Sequence, residues 1–127
     1  MTRYLADTHA VWWSAYDPER LGQRAAKALA ESSEVYVSVA SIWEITIKVG
    51  LGKMQLRGSI SGFVSELRAH DFQVLPMTAD HAISVAELPL HHRDPFDRLL
   101  IAQARREKMT LLTCDSAFDA YGVRILW

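Results

Sequence analysis

The chain is poor in the features that mark several large classes of protein. It has one cysteine, Cys114, so no disulfide can form within it, and a reducing compartment is expected. No apolar run is long enough to span a bilayer. The acidic Asp7 interrupts anything resembling the apolar core of a signal peptide, which points to a cytoplasmic protein with no membrane role. Charge of one sign is also missing: 14 basic against 15 acidic residues give a formal charge of −1. A protein that coats nucleic acid by bulk charge alone is thereby disfavoured. There is no internal repeat, low-complexity tract, linker or P-loop. No Cys/His spacing suits zinc, so His9, His91 and His92 are not expected to ligate it.

What is present suits one compact domain over residues 1–127, half of them hydrophobic. Five short apolar runs read as strands: Tyr4-Leu5-Ala6, Val35-Tyr36-Val37, Val74-Leu75, Leu111-Leu112-Thr113 and the stretch from Val123 to Trp127. Helix-like segments lie between them, at Ala25 to Glu31, Phe63 to Ala69 and His81 to Leu88, the last with Thr78 as a candidate cap. From Ile42 to Val49 the residues Ile42, Ile45 and Val49 share a helical face, although the β-branched content leaves strand as a competitor. The clearest helix has Asp94 at the N-cap, Pro95 at the first helical position and Leu99 to Arg106 as its body. Alternating strands and helices predict a three-layer α/β/α fold with a central parallel sheet of about five strands. Such sheets bind ligands at the carboxyl ends of their strands.

That rule gives the acids meaning. Asp7 directly follows the first strand and Asp115 the fourth. Asp97 lies in the first turn of the helix that feeds the fourth strand, and Glu44 near the start of the helix after the second. All four could meet at one rim of the sheet. Gathered carboxylates repel one another, and a divalent cation removes that penalty. Mg²⁺ favours oxygen ligands and keeps several waters, which suits hydrolysis of a phosphodiester by an activated water. Each acid also has a plain structural reading. Asp7 has no evident duty beyond a turn. Glu44 could close a capping box with Ser41 or pair with Lys48. Asp94 could be only a cap, Asp97 a helix-dipole residue, and Asp115 the cap of a short helix from Ser116 to Tyr121.

Four motifs carry a family resemblance: Leu5-Ala6-Asp7-Thr8-His9, Ser41-Ile42-Trp43-Glu44-Ile45, the run from His92 to Ala104 (HRDPFDRLLIAQA), and Thr113-Cys114-Asp115. In order and spacing the chain resembles the PIN-domain ribonucleases of the VapC toxin type, from about Tyr4 to Trp127. The resemblance implies a Mg²⁺- or Mn²⁺-dependent endoribonuclease. It also implies a homodimer neutralised by a VapB-type antitoxin. It assigns Asp7, Glu44, Asp97 and Asp115 as the catalytic acids. Asp7 and Asp97 would be direct metal ligands, and Glu44 and Asp115 would bind directly or through water. Thr113 and Asp94 would support them. Arg98, beside Asp97, is a supporting residue that could pair with a nearby carboxylate. Arg93, Arg98, Arg105 and Arg106 cluster around the acidic helix and some could steer RNA phosphates, with Lys48 and Lys53 as weaker candidates.

Cys114 reads as a small buried filler. His9 is expected to pack or hydrogen-bond locally. Trp12, Trp13 and Trp43 read mainly as core on two early helices, with a share at a dimer face or antitoxin groove. Two rival functions remain open at this point: an RNA-binding module without turnover, and a DNase or phosphatase of the same chemistry.

Overall fold

A computed structural model describes residues 2–91 and 93–127, so the reading of His92 lies outside the described residues. Five strands form one sheet in the order β3-β2-β1-β4-β5: β1 Tyr4–Ala6, β2 Val35–Ser38, β3 Phe72–Leu75, β4 Thr110–Leu112 and β5 Ile125–Leu126. Every pairing is parallel. The expected parallel α/β/α architecture is what the chain adopts.

The three layers follow from the two-residue period of the strands. Leu5, Tyr36 and Leu111 face one core, together with Leu100, Ile101 and Phe118. Ala6, Val37 and Leu112, each next in sequence, face the other, with Val11, Ile45 and Phe63. Helices α1 (Thr8–Tyr16), α2 (Gln23–Glu31), α3 (Val39–Gly50) and α4 (Ile60–Ala69) belong to the second side. On the first side lie α5 (Ala79–Ser84), a 3₁₀ turn (Val85–Glu87), α6 (Pro95–Glu107) and a second 3₁₀ turn (Ser116–Tyr121). The chain steps outward from β1 to β3, then returns to place β4 on the other side of β1. The boundary between β1 and β4 is therefore the topological switch point, where open α/β sheets form a crevice. No helix is long and apolar enough to cross a membrane among the described residues.

The helices differ from the sequence reading mainly at their starts. The segment from Ile42 to Val49 is helical, and its helix begins three residues earlier, because the Ser38 hydroxyl caps it by accepting from the Ala40 N–H. With Ser38 as the cap, the capping-box reading of Ser41 and Glu44 falls away. Thr78 caps α5 as expected, in a capping box completed by His81. The helix expected as far as Leu88 ends at Ser84 and tightens into 3₁₀. Asp94 caps α6, Pro95 opens it, and Asp97 occupies the third position.

A buried polar chain ties α6 to the carboxyl edge. Gln103 is fully buried. Its Oε1 accepts from the Ser38 hydroxyl (2.6 Å), and its Nε2 donates to the Pro76 carbonyl (3.4 Å) and lies 3.3 Å from His81 Nδ1. These contacts fix the height of α6 against the ends of β2 and β3. Replacing Gln103 by Leu removes the acceptor of the buried Ser38 hydroxyl proton, and should cost about 1–3 kcal/mol of stability. Urea unfolding of Gln103→Leu against the parent measures that loss.

Candidate active site

The register places three positions side by side. Ala6 pairs with Val37 on one flank and Leu112 on the other, so Asp7, Ser38 and Thr113 follow at the same level. The Asp7 N–H still bonds to the Leu112 carbonyl (3.0 Å), holding Asp7 to the sheet at the switch point. Asp7 has a structural duty that the sequence reading missed. It is the N-cap of α1, its Oδ1 accepting from the Ala10 N–H at 2.8 Å. Thr113, almost fully buried, hydrogen-bonds to the same carboxylate.

Asp7 is only 7% exposed. Burial raises its pKa above the ordinary carboxylate value, against the lowering effect of the Thr113 and Ala10 hydrogen bonds and of the His9 charge, while Glu44 raises it further. Among the described residues no ion pair reaches it.

Glu44 is the second buried acid, in the second turn of α3. Its two oxygens are held from different elements. The Thr8 hydroxyl, at the first position of α1, donates to Oε1 at 2.6 Å and lies 3.0 Å from Ser41 Oγ. Lys48 Nζ pairs with Oε2 at 2.9 Å, as the i,i+4 spacing allows. Thr8 and Ser41 are buried hydroxyls beside the acids; the sequence reading did not single out Thr8 and took Ser41 only as a capping-box partner of Glu44. Their signal was available: Thr8 follows Asp7, and Ser41 lies one helical turn before Glu44.

The remaining acids line the rim. Asp115 is exposed and caps the 3₁₀ turn after β4 through Ala117 N–H, as the structural reading anticipated. Its own N–H donates to Thr113 Oγ1 (3.1 Å), so one threonine joins Asp115 to Asp7. Asp97 is half-buried in the first turn of α6, and Asp94 is exposed. Thus Asp7 and Glu44 are brought together, and Asp115 reaches Asp7 through Thr113. Among the described residues no three His, Cys, Asp or Glu side chains form a ready-made metal ligand set.

The basic candidates are spread out. Arg98 donates to the carbonyls of Pro89, Val85 and Leu88, fastening the loop before α6. Arg93 is exposed ahead of α6. Arg105 lies in the last turn of α6, about 12 Å along the axis from Asp97 at 1.5 Å per residue. Arg106 pairs with Asp80 at 3.3 Å. Cys114 is exposed, correcting its reading as buried filler. It stands at the rim between Asp7 and Asp115, and burial together with these two acids raises its thiol pKa.

A nearly buried acid thus stands beside a second acid at the switch point of an open α/β sheet. The PIN domain family matches residues 4–123, and the chain belongs to that family. It is 32% identical over 117 residues to Ribonuclease VapC22 of Mycobacterium tuberculosis (strain ATCC 25618 / H37Rv), covering 91% of this chain and 88% of that protein. Its fold resembles VapBC2 from Rickettsia felis bound to a promoter DNA fragment (TM-score 0.75, 13% identity, 98% of each chain). It also resembles DNA-bound VapBC from Salmonella typhimurium (TM-score 0.73, 17% identity, 99% of this chain and 98% of that one). A third likeness is to VapC20 of Mycobacterium tuberculosis, described as a Sarcin-Ricin loop cleaving toxin (TM-score 0.65, 19% identity, 94% and 95%).

The raised pKa of Asp7 has a consequence for stability. Between its ordinary and its raised pKa the folded chain binds more protons than the unfolded one, so stability falls as pH rises through that window and stays reduced at neutral pH. Asp7→Asn, measured in chelator, should therefore melt higher than the parent at neutral pH. The gap should close as pH drops below the ordinary carboxylate pKa. Thermal melts across that pH range read it directly.

Proposed function

We propose that this chain is a divalent-metal-dependent endoribonuclease, the toxin half of a toxin–antitoxin pair. The observation that carries the reading is the buried Asp7 carboxylate beside Glu44 at the switch point, with no ion pair to Asp7 among the described residues. The ribonuclease name of the 32% identical relative supports the substrate class. Solved toxin–antitoxin complexes of the same fold support a VapB-type partner.

The donors fit Mg²⁺, or Mn²⁺ in its place. They are hard oxygens, and Mg²⁺ takes one or two carboxylates while keeping water for the rest. Asp7 and Asp97 are the proposed direct ligands. Glu44 and Asp115 would contribute directly or through water. Bound there, such an ion would offset the carboxylate charges, polarise the scissile phosphate and lower the pKa of a water.

The chain's own residues do the positioning. Thr113 and the α1 backbone fix the Asp7 carboxylate, and Thr8 and Lys48 fix Glu44. Asp94 holds the first turn of α6 and so places Asp97. Arg93 and Arg105 are proposed contacts for RNA phosphates away from the cut bond. Lys48, although paired with Glu44, is only partly buried and can be reached by the same RNA.

A homodimer is part of this reading. Val39, Trp43, Ile47 and Leu51 recur every fourth residue along α3 and all are exposed, Trp43 at 57% and Leu51 at 64%. An apolar stripe of this kind on a helix suits a second copy of the chain. Leu51→Glu should shift the parent's size in solution from dimer to monomer, as read by light scattering.

Cleavage itself is tested with labelled RNA. The Mg²⁺-loaded parent should cut RNA and leave DNA and a small phosphate ester intact, and EDTA should stop it. Asp7→Asn should lower the rate at least about 100-fold while keeping the fold by circular dichroism. An active Asp7→Asn protein, or cleavage that survives EDTA, overturns the reading.

A further inference from the structure

Trp12 and Trp13 are adjacent on α1 but have different surroundings. Trp12 packs on Tyr16 (ring centroids 4.4 Å apart) and Phe63 (5.7 Å), within the core between α1 and α4. Trp13 points elsewhere. His9, one turn earlier on the helix, stacks against it at 5.3 Å with the planes 27° apart. The Arg20 guanidinium lies 4.5 Å from its ring centre, and Trp127 meets its edge at 5.8 Å. Neither Trp13, His9 nor Arg20 belongs to either core cluster. His9 is exposed, and the Arg20 side chain is 59% exposed. The result is a His–Trp–Arg group in which His9 and Arg20 are exposed and Trp13, resting on Trp127 at the margin of one core, is partly buried.

Its position gives it meaning. His9 is two residues beyond Asp7, and its charge acts on the Asp7 carboxyl. Arg20 acts in the same way on Cys114 at the same rim. Arg20 is flanked by acids: its ion pair with Asp17 measures 3.8 Å, and Glu19 is adjacent. Those acids repel a phosphate, so the guanidinium serves as backing for the Trp13 ring rather than as an anion clamp. That leaves an exposed flat ring, rigidly supported, beside an acid site. The chemistry that fits it is an unstacked nucleobase, since proteins hold splayed single-stranded bases on aromatic faces.

Resting on the ribonuclease reading above, we propose that His9, supported by Trp13 and Arg20, is a stacking platform for a nucleobase of single-stranded RNA next to the bond cut at Asp7. Such a platform has a chemical signature. Stacking needs a planar ring and tolerates loss of the imidazole nitrogens, so phenylalanine can replace histidine and alanine cannot. Duplex RNA, whose bases are not splayed, does not engage it.

The test uses Asp7→Asn protein with Mg²⁺ and a short labelled single-stranded RNA of mixed sequence, read by fluorescence anisotropy. Adding His9→Ala should weaken binding ~10-fold, within the range measured for loss of one stacked base. His9→Phe should restore it, and binding of a duplex RNA should be unchanged by either. In the chain with Asp7 intact, His9→Ala should raise KM with little change in kcat. Equal binding by His9→Ala and its parent, or a His9→Phe protein as weak as His9→Ala, overturns the platform alone, provided that the intact chain cuts RNA. If the intact chain neither binds nor cuts RNA, the ribonuclease reading and the platform fall together.

Discussion

A carboxylate held nearly out of water at the end of the central strand is the constraint around which this rim is arranged. Moving Asp7 into that position disfavours its charged form, and the neighbouring Glu44 adds repulsion. Three features keep it there. The sheet fixes its backbone through Leu112, the start of α1 gives its oxygen an N–H, and Thr113 supplies a hydroxyl. None of these is a cation. The fold thus offers a carboxylate that is oriented and whose charge burial disfavours, with no ion pair to it among the described residues, which is a state a positive ligand relieves.

Much of the architecture was legible in the sequence because strands in a buried parallel sheet are written as short apolar runs. All five were read near their observed places, for example Tyr4–Ala6 without change. α1 was the hardest element to see. Ala10, Val11, Trp12 and Trp13 form an unbroken apolar run, which carries no helical periodicity. Only the packed structure separates Val11 and Trp12, which meet the core, from Trp13, which does not. The start of α3 was obscured for a related reason. The strand was read from Val35 to Val37 and the helix from Ile42, and Ser38 becomes a cap only once its hydroxyl turns to the Ala40 N–H.

Within the site, position along the chain was legible and environment was not. The sequence order of strand and acid placed Asp7 and Asp115 at strand ends, where the structure has them. Burial of Glu44 by Thr8 and exposure of Cys114 depend on contacts between elements far apart in sequence, such as the pairing of residues 8 and 44. A cysteine between buried Thr113 and exposed Asp115 sits where the chain leaves the sheet, and a change of exposure within one residue is beyond any periodicity argument.

Three acids of this rim are helix caps: Asp7 for α1, Asp94 for α6 and Asp115 for the turn after β4. In a parallel sheet a helix that leaves a strand, as α1 leaves β1, begins at the carboxyl edge, and a helix that runs antiparallel into the next strand, as α6 runs into β4, begins there too, so their caps fall at that edge. A capping carboxylate is oriented by the backbone and favoured by the helix dipole, and little side-chain freedom is left to lose when a ligand arrives. Asp97 shares the dipole as the third residue of α6. Glu44 is the exception. It lies in the second turn of its helix, where no backbone N–H is free, and its longer side chain has more freedom. That difference is met by side chains that grip both Glu44 oxygens, Thr8 on one and Lys48 on the other. The two buried acids therefore reach one rim by different means, Asp7 through the backbone that caps it and Glu44 through neighbours recruited from α1 and from its own helix.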